Sequence, residues 1–534
     1  MEERDPAEFR FRPPGALIKW SPWALLGLAL LVGAWARMAA YGQTVVADEL
    51  STLWIVKTHG LGGTVDFVYG DGEISPPLYF ILAWFASKLG SAPELIRLPS
   101  MLFAAASMPL YYVLGKRLFG RWTGILATVI AALSPMLIYT AATGRAYSVA
   151  FFFLLLSTVA LLFAAESGRT RWWVIYAFAT AAAMYCHYTV AFVLAGQLIW
   201  LLIYHPAARK GAILANLGAV LLYLPWVPGY LADSDSPTTP ILEALQGYGF
   251  EAKRLAVEQV LFWEVTAEPW TLASRWDVLL LAAGVLLAAV AATVALARRE
   301  SIVAWVRRLD PAITLTVILI FATPVGAFLL GRFSTDVFGT RNIAAMWIGL
   351  PVAIGALLYA AGRYWGTVAT LLVVAGLTIG AVKIADGSRS EIGYDEAAEY
   401  VEARFGPGDS VVSTSQFTPV PYTPLDAYLD PDVPRYQLGL PTSEPPFLPG
   451  STEIPEAGVE WKRALADSDR IFVVAVDGAE ELAKDHKLIV YTLPYDLPDD
   501  WEVVSQHTIP GVRPVTVSLL ERRDAPGKPA KGDD

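Results

Sequence analysis

The sequence predicts a polytopic all-α membrane protein that carries a C-terminal α/β domain outside the membrane. Three observations predict it. Of 534 residues, 55% are hydrophobic and 17% charged, with a mean hydropathy of +0.46, whereas soluble domains hold about 25% charged residues. Apolar stretches of the ~20 residues needed to cross a hydrocarbon core recur between positions 21 and 385. From Asp386 onward the composition turns acidic. There, 28 acids stand against 13 bases, which leaves a net of +5 for the rest of a chain whose net charge is −10.

Residues 1–20 read as a cytoplasmic N-terminal arm that carries Arg4, Arg10, Arg12 and Lys19. No signal-peptide cleavage pattern accompanies the first apolar segment, so it is expected to be retained. Short loops rich in Lys and Arg stay in the cytoplasm. After the arm these are Lys116-Arg117 with Arg121, Arg169 with Arg171, Arg209-Lys210, Arg298-Arg299 with Arg307-Arg308, and Arg363. Apolar hairpins fit between them at 122–142 with 148–165, 172–187 with 189–204, 211–230 with 276–297, and 311–330 with 342–360. A last segment, 365–385, delivers the C-terminal domain to the extracytoplasmic side, with the N-terminus inside. Segment 76–90 opens on Pro76-Pro77 and is short. It reads as a half-span or juxtamembrane helix leading into 95–115. The count for 21–385 is about 11 crossings, or 13 if segments have been merged, with outer loops at 41–75 and 231–275. In the outer domain, 386–523, helices are expected at 393–404 and 477–484, and strands at 410–414, 470–476, 501–507 and 514–520. The Pro-rich stretch 417–456 reads as irregular surface and 524–534 as a disordered tail.

Composition also narrows the chemistry. A single cysteine, Cys186, excludes a disulfide framework or a multi-cysteine metal site and reads as packing. The acidic outer domain argues against nucleic acid as its partner. The 18 Trp and 23 Tyr suit a chain with two membrane interfaces to anchor.

Charges near membrane depth are costly and mark function. They gather on the outer side: Asp48-Glu49 after the first span, Arg145 between two spans, His187-Tyr188 at a hairpin tip, and Arg341 entering a span. The first outer loop adds Lys57, His59, Asp66, Asp71 and Glu73. Each has a plainer reading, as loop charge, snorkelling arginine, interior histidine or interfacial anchor. Their convergence on one side was not built into the topology. A secondary transporter would show internal repeats and polar residues at mid-depth. A non-catalytic scaffold with an outer binding domain leaves the Asp-Glu, Arg, His, Arg set unexplained. A glycosidase-like hydrolase needs paired carboxylates but no membrane bundle.

These residues stand in a series of short motifs: Ala47-Asp48-Glu49, Ser75-Pro76-Pro77-Leu78-Tyr79, Ile96-Arg97-Leu98-Pro99-Ser100, Leu118-Phe119-Gly120, Ile138-Tyr139, Gly144-Arg145-Ala146-Tyr147, Tyr185-Cys186-His187-Tyr188 and Thr340-Arg341-Asn342. With Gly393-Tyr394-Asp395-Glu396 opening the outer domain, their order resembles the GT-C superfamily of membrane glycosyltransferases. The likeness is to the bacterial family 39 group, related to protein O-mannosyltransferases and the lipid A aminoarabinose transferase. It departs in two places: Ser75 stands where His precedes the prolines, and Ala142-Thr143-Gly144 stand where Glu or Gln commonly precedes the arginine.

The resemblance implies a GT-C-like fold in the plasma membrane. It implies transfer of a hexose or pentose, with inversion, from a polyprenyl-phosphate donor to an extracytoplasmic glycan, lipid or protein. Asp48 and Glu49 are the expected catalytic pair, Asp48 as general base and Glu49 orienting the acceptor or a cation. Arg145, Tyr147, His187 and Arg341 are the expected donor-phosphate residues, since a guanidinium fork matches phosphate oxygens. His187 would protonate or hydrogen-bond the leaving phosphate. Pro76, Pro77, Arg97 and Tyr188 support the site. A divalent cation at Asp48 and Glu49 is an open alternative.

Overall fold

Segments surrounded by hydrocarbon must satisfy every backbone polar group internally, and the apolar segments do so as helices. The computed structural model describes residues 15–45, 48–70, 73–234, 249–262, 275–298, 310–334, 336–387, 392–414, 423–438, 457–476, 497–511 and 514–523. The chain opens with α1 (Gly15–Tyr41), α2 (Asp48–Thr58), α3 (Leu61–Tyr69), α4 (Leu78–Ser87) and α5 (Leu98–Phe119). It continues through α6 (Arg121–Leu133), α7 (Pro135–Ala141), α8 (Tyr147–Ser167), α9 (Thr170–Met184), α10 (Val190–Tyr204), α11 (Arg209–Tyr223) and α12 (Val227–Ser234). Then come α13 (Phe250–Phe262), α14 (Trp276–Ala297), α15 (Pro311–Phe333), α16 (Thr340–Ile343), α17 (Leu350–Ala360) and α18 (Arg363–Ala385).

Every segment expected to cross is helical. By length and composition, seven helices among the described residues can span a membrane, or nine if each of two bent pairs counts as one. Their outward side chains are apolar: Leu286, Val290 and Val294 of α14 and Leu371 of α18 are exposed. At ten residues, α4 is about 15 Å long, too short to cross.

The first bent pair shows how a break is accommodated. Pro135 opens α7 and has no amide to donate, Ser134 accepts from the Leu137 amide, and the axis turns by 60°. The last carbonyls of α6 lack partners within the helix. Arg37 of α1 supplies them, donating to Ala132 O at 2.7 Å and Ala131 O at 3.2 Å while 7% exposed. Close approach requires Gly33 on α1, because a Cβ there would lie 2.2 Å from Ala132 O. At the end of the bundle that meets the C-terminal domain, Lys383 of α18 pairs with buried Asp277 of α14 at 2.8 Å.

The C-terminal domain contains α19 (Tyr394–Glu402), β1 (Asp409–Thr414), β2 (Arg435–Leu438), α20 (Ala457–Asp467), β3 (Arg470–Val476), β4 (Trp501–Ile509) and β5 (Val515–Arg522). The sheet order is β2-β1-β3-β5-β4, with β1 parallel to β2 and β3, and β5 antiparallel to β3 and β4. Successive side chains point to opposite faces. Val411, Phe472 and Val474 therefore pack with Ala397 and Val401 of α19, while Val412, Ile471 and Val473 pack with Trp461 and Ala464 of α20. The membrane-bundle-plus-α/β architecture expected from the sequence is present.

Two local expectations need correction. The Pro-rich stretch 417–456 holds β2, whose backbone pairs with β1 despite its flanking prolines. Helix α20 lies where no helix was anticipated; its heavily charged outer face, Lys462 and Arg463 among it, hid the apolar stripe of Trp461, Ala464 and Leu465. The helix expected at 477–484 lies outside the described residues.

Candidate active site

Asp48 and Glu49 open α2, where the positive end of a helix favours carboxylates. Neighbouring residues on a helix do not share a face, and these two part company. Glu49 turns inward and is 6% exposed. Its oxygens accept from Arg97 Nε at 2.7 Å and Nη2 at 2.6 Å, a bidentate hold, and Oε1 also accepts from the Gly144 amide. Glycine is required there, since a Cβ at 144 would lie 2.7 Å from Ile96 Cδ1 and 3.0 Å from Glu49 Oε1. Arg97, 3% exposed, spends its remaining donors on the loop between α1 and α2: Tyr41 O at 2.8 Å, Gln43 O at 2.5 Å and Thr44 O at 3.0 Å. The pair is a clamp that ties this loop to the start of α5.

Asp48 faces the other way and forms an ion pair with Arg341 of α16. Both side chains stay accessible, at 37% and 48%. Arg145 lies close by, its Nη1 3.4 Å from Asp48 O. Its fork is bidentate on Glu73, at 3.2 Å and 2.9 Å, with Ser75 Oγ at 3.3 Å and the Phe80 ring 5.8 Å away. Glu73 was visible in the sequence only as one of several loop charges. In the structure it supplies the carboxylate partner that the residues preceding Arg145 lack, and Ser75, standing in the usual His position, completes that contact by donating to Glu73 at 3.2 Å.

His187 reaches the same region through hydrogen bonds. Thr189 donates its hydroxyl proton to Asn342 O at 2.9 Å, so at 2.9 Å it accepts from His187 Nδ1. This puts a proton on Nδ1 and leaves Nε2 as the imidazole's second functional atom. The Tyr147 ring lies 5.7 Å from the imidazole. Tyr188 points elsewhere: its hydroxyl donates to buried Asp233 and accepts from Trp226 Nε1 at 3.0 Å. Pro76 and Pro77 are buried at the head of α4, whose Leu78 amide donates to Tyr185 O at 3.1 Å. Cys186 is buried, in keeping with packing.

The structure thus brings Asp48, Arg341, Arg145, Glu73 and Ser75 together, with Glu49 and Arg97 behind them. His187 and Tyr147 are beside the cluster, and Tyr188 is outside it. A cation shared by Asp48 and Glu49 does not fit this arrangement, because the two carboxylates diverge and both oxygens of Glu49 are engaged. Among the described residues no three His, Cys, Asp or Glu side chains group as metal ligands.

The α4–α11 portion of this architecture has recognisable relatives. Residues 75–228 match the model of the dolichyl-phosphate-mannose-protein mannosyltransferase family. The crystal structure of ArnT from Cupriavidus metallidurans in the apo state aligns over 94% of this chain and 98% of that chain, with 13% identity and a TM-score of 0.53. The chain has the GT-C fold. That bears out the fold which the motif resemblance implies. The apo oligosaccharyltransferase of Archaeoglobus fulgidus aligns over 86% of this chain and 70% of its own, with 12% identity and a TM-score of 0.49. Comparison with curated protein sequences finds no match. Within the GT-C fold, Arg145, Tyr147, His187 and Tyr188 lie inside the family-matched segment, and Asp48, Glu49 and Arg341 lie outside it.

Proposed function

We propose that this membrane glycosyltransferase moves a sugar from a polyprenyl-phosphate donor to an acceptor hydroxyl on the extracytoplasmic face, with Asp48 as general base. One observation carries the reading: an accessible carboxylate, Asp48, sits against an accessible guanidinium, Arg341, at the corner where Arg145 also arrives. A lipid-linked donor stays in the bilayer, so its phosphate must be met at the membrane edge by fixed cations. The fork of Arg341 suits phosphate oxygens once it leaves Asp48, and that of Arg145 once it turns from Glu73. As the phosphate takes up Arg341, Asp48 is released from its ion pair. It then accepts the proton of the acceptor hydroxyl, whose oxygen forms the new bond to the anomeric carbon. The bond from that carbon to the phosphate oxygen breaks, and polyprenyl phosphate leaves with its charge held by the arginines. With Nδ1 already donating to Thr189, His187 hydrogen-bonds the departing phosphate only as an imidazolium, through a protonated Nε2. Attack on the face opposite the phosphate inverts the anomeric centre.

Glu49 acts behind this chemistry, fixing the loop through Arg97 rather than touching either substrate. Transfer to a hydroxyl of a glycan, lipid or protein fits the same geometry. The test is mass spectrometry of lipid-linked sugars and extracytoplasmic glycans from membranes with and without the protein. Loss of the protein should leave one polyprenyl-phosphate sugar accumulated and one sugar missing from an acceptor. Identical profiles would remove the transferase reading.

A further inference from the structure

Asp48 opens α2 shortly after a stretch, Tyr41–Val45, that is gripped from two sides. From the membrane domain, Arg97 takes the carbonyls of Tyr41, Gln43 and Thr44. From the C-terminal domain, two side chains reach the same stretch. Asp395 Oδ1 accepts the Thr44 hydroxyl at 2.8 Å. Tyr428 accepts the Val45 amide at 2.6 Å and donates its own proton to Glu94 Oε1 at 3.0 Å. Thr44 and Val45 are buried, at 2% and 0% exposure, just before Asp48 enters α2.

We propose that Tyr428 and Asp395 of the C-terminal domain are positioning residues for Asp48, which makes that domain a working part of the active site rather than an appendage. The inference rests on the reading of Asp48 as the base. Both grips come from well-packed parts of the domain. Asp395 lies in the first turn of α19, between buried Tyr394 and Ala397. Tyr428 follows a short 3₁₀ turn, Leu425–Ala427, and is flanked by Leu425 and Leu429 in the same core as Val411 and Phe472. Burial, with Glu94 beside it, pushes the Tyr428 hydroxyl well above the ordinary phenol range, so the proton it gives Glu94 stays in place. One hydroxyl thereby links the loop amide to the turn that carries Arg97. Asp48 is held on its N-terminal side by the outer domain and on its C-terminal side by Glu49. Catalytic geometry is steep in distance: misplacing a reacting group by about 1 Å costs on the order of a hundredfold in rate.

The experiment uses the full-length protein in lipid nanodiscs with Tyr428→Phe, Thr44→Val, Thr44→Ser and Asp48→Asn. Turnover is read as polyprenyl phosphate released, with envelope glycans, lipids and proteins from cells lacking the protein supplied as acceptor, from whichever member of a synthetic panel of polyprenyl-phosphate hexoses and pentoses the wild type consumes. Binding is read with undecaprenyl phosphate alone, and loop order by hydrogen exchange at the Val45 amide. Tyr428→Phe and Thr44→Val should lower kcat about tenfold to a hundredfold. KM for the donor, undecaprenyl phosphate binding and protection of β1 and β3 should stay as in wild type, while Val45 exchanges faster. Thr44→Ser, which keeps the hydroxyl, should recover most of the rate. Unchanged kcat in both Tyr428→Phe and Thr44→Val, with Asp48→Asn inactive, overturns the positioning role and leaves the base intact. Full turnover by Asp48→Asn instead removes the base itself. If the wild type consumes no panel member, the transferase reading falls, and undiminished Val45 protection in Tyr428→Phe separately overturns the docking.

Discussion

Asp48 and Glu49 are adjacent in the chain and differ in everything around them. Glu49 is buried against Arg97, so Glu49→Gln strands a buried guanidinium and should cost about 3–5 kcal/mol. A lowered thermal midpoint in detergent checks this. The Asp48–Arg341 pair is accessible, and Asp48→Asn should cost no more than about 1 kcal/mol. Equal losses in the two variants would refute the division between clamp and base. Arg145→Lys and Arg341→Lys keep a charge but lose the fork, so both should weaken undecaprenyl phosphate binding in titration. Unchanged affinity in both would take them out of the phosphate site. These charges were legible because they are rare in an apolar chain. Their pairing was not: Glu73 and Arg145 meet only through the fold, and a loop carboxylate looks like any other until its partner is known.

Helices were legible wherever an apolar run was long enough to need a bilayer. Breaks within them were not, because the turn at Ser134-Pro135 depends on a cation from another helix. Arg37 meets the carbonyls of Ala131 and Ala132 there. Arg37→Leu leaves those carbonyls without that donor and should destabilise the protein by about 1–3 kcal/mol, read as a lower unfolding midpoint with α-helical content retained. A midpoint equal to wild type would mean that lipid or water serves the carbonyls instead. In the C-terminal domain, β3 and β5 announced themselves through Val-rich runs, whereas four-residue β2 is a strand only because β1 lies beside it. Local pattern fails where pairing, not composition, makes the element.

Across the whole molecule, the regular placement of basic loops predicts sidedness. Reporter fusions after Lys210 and after Arg404 should read inside and outside respectively, and two identical readings would break the topology. What no local pattern could reveal is the return of the C-terminal domain to the loop after α1, through Asp395 and Tyr428. That contact joins residues from the two ends of the chain around Asp48, on which the proposed chemistry depends. The most direct measurement is therefore release of polyprenyl phosphate from the synthetic donor panel, with envelope material from cells lacking the protein as acceptor, by wild type and by Asp48→Asn inserted to the same level. Wild type should consume one donor, and Asp48→Asn should do so roughly a hundredfold to ten-thousandfold more slowly, the usual cost of losing a general base, while still binding undecaprenyl phosphate. Turnover by Asp48→Asn at the wild-type rate would contradict it.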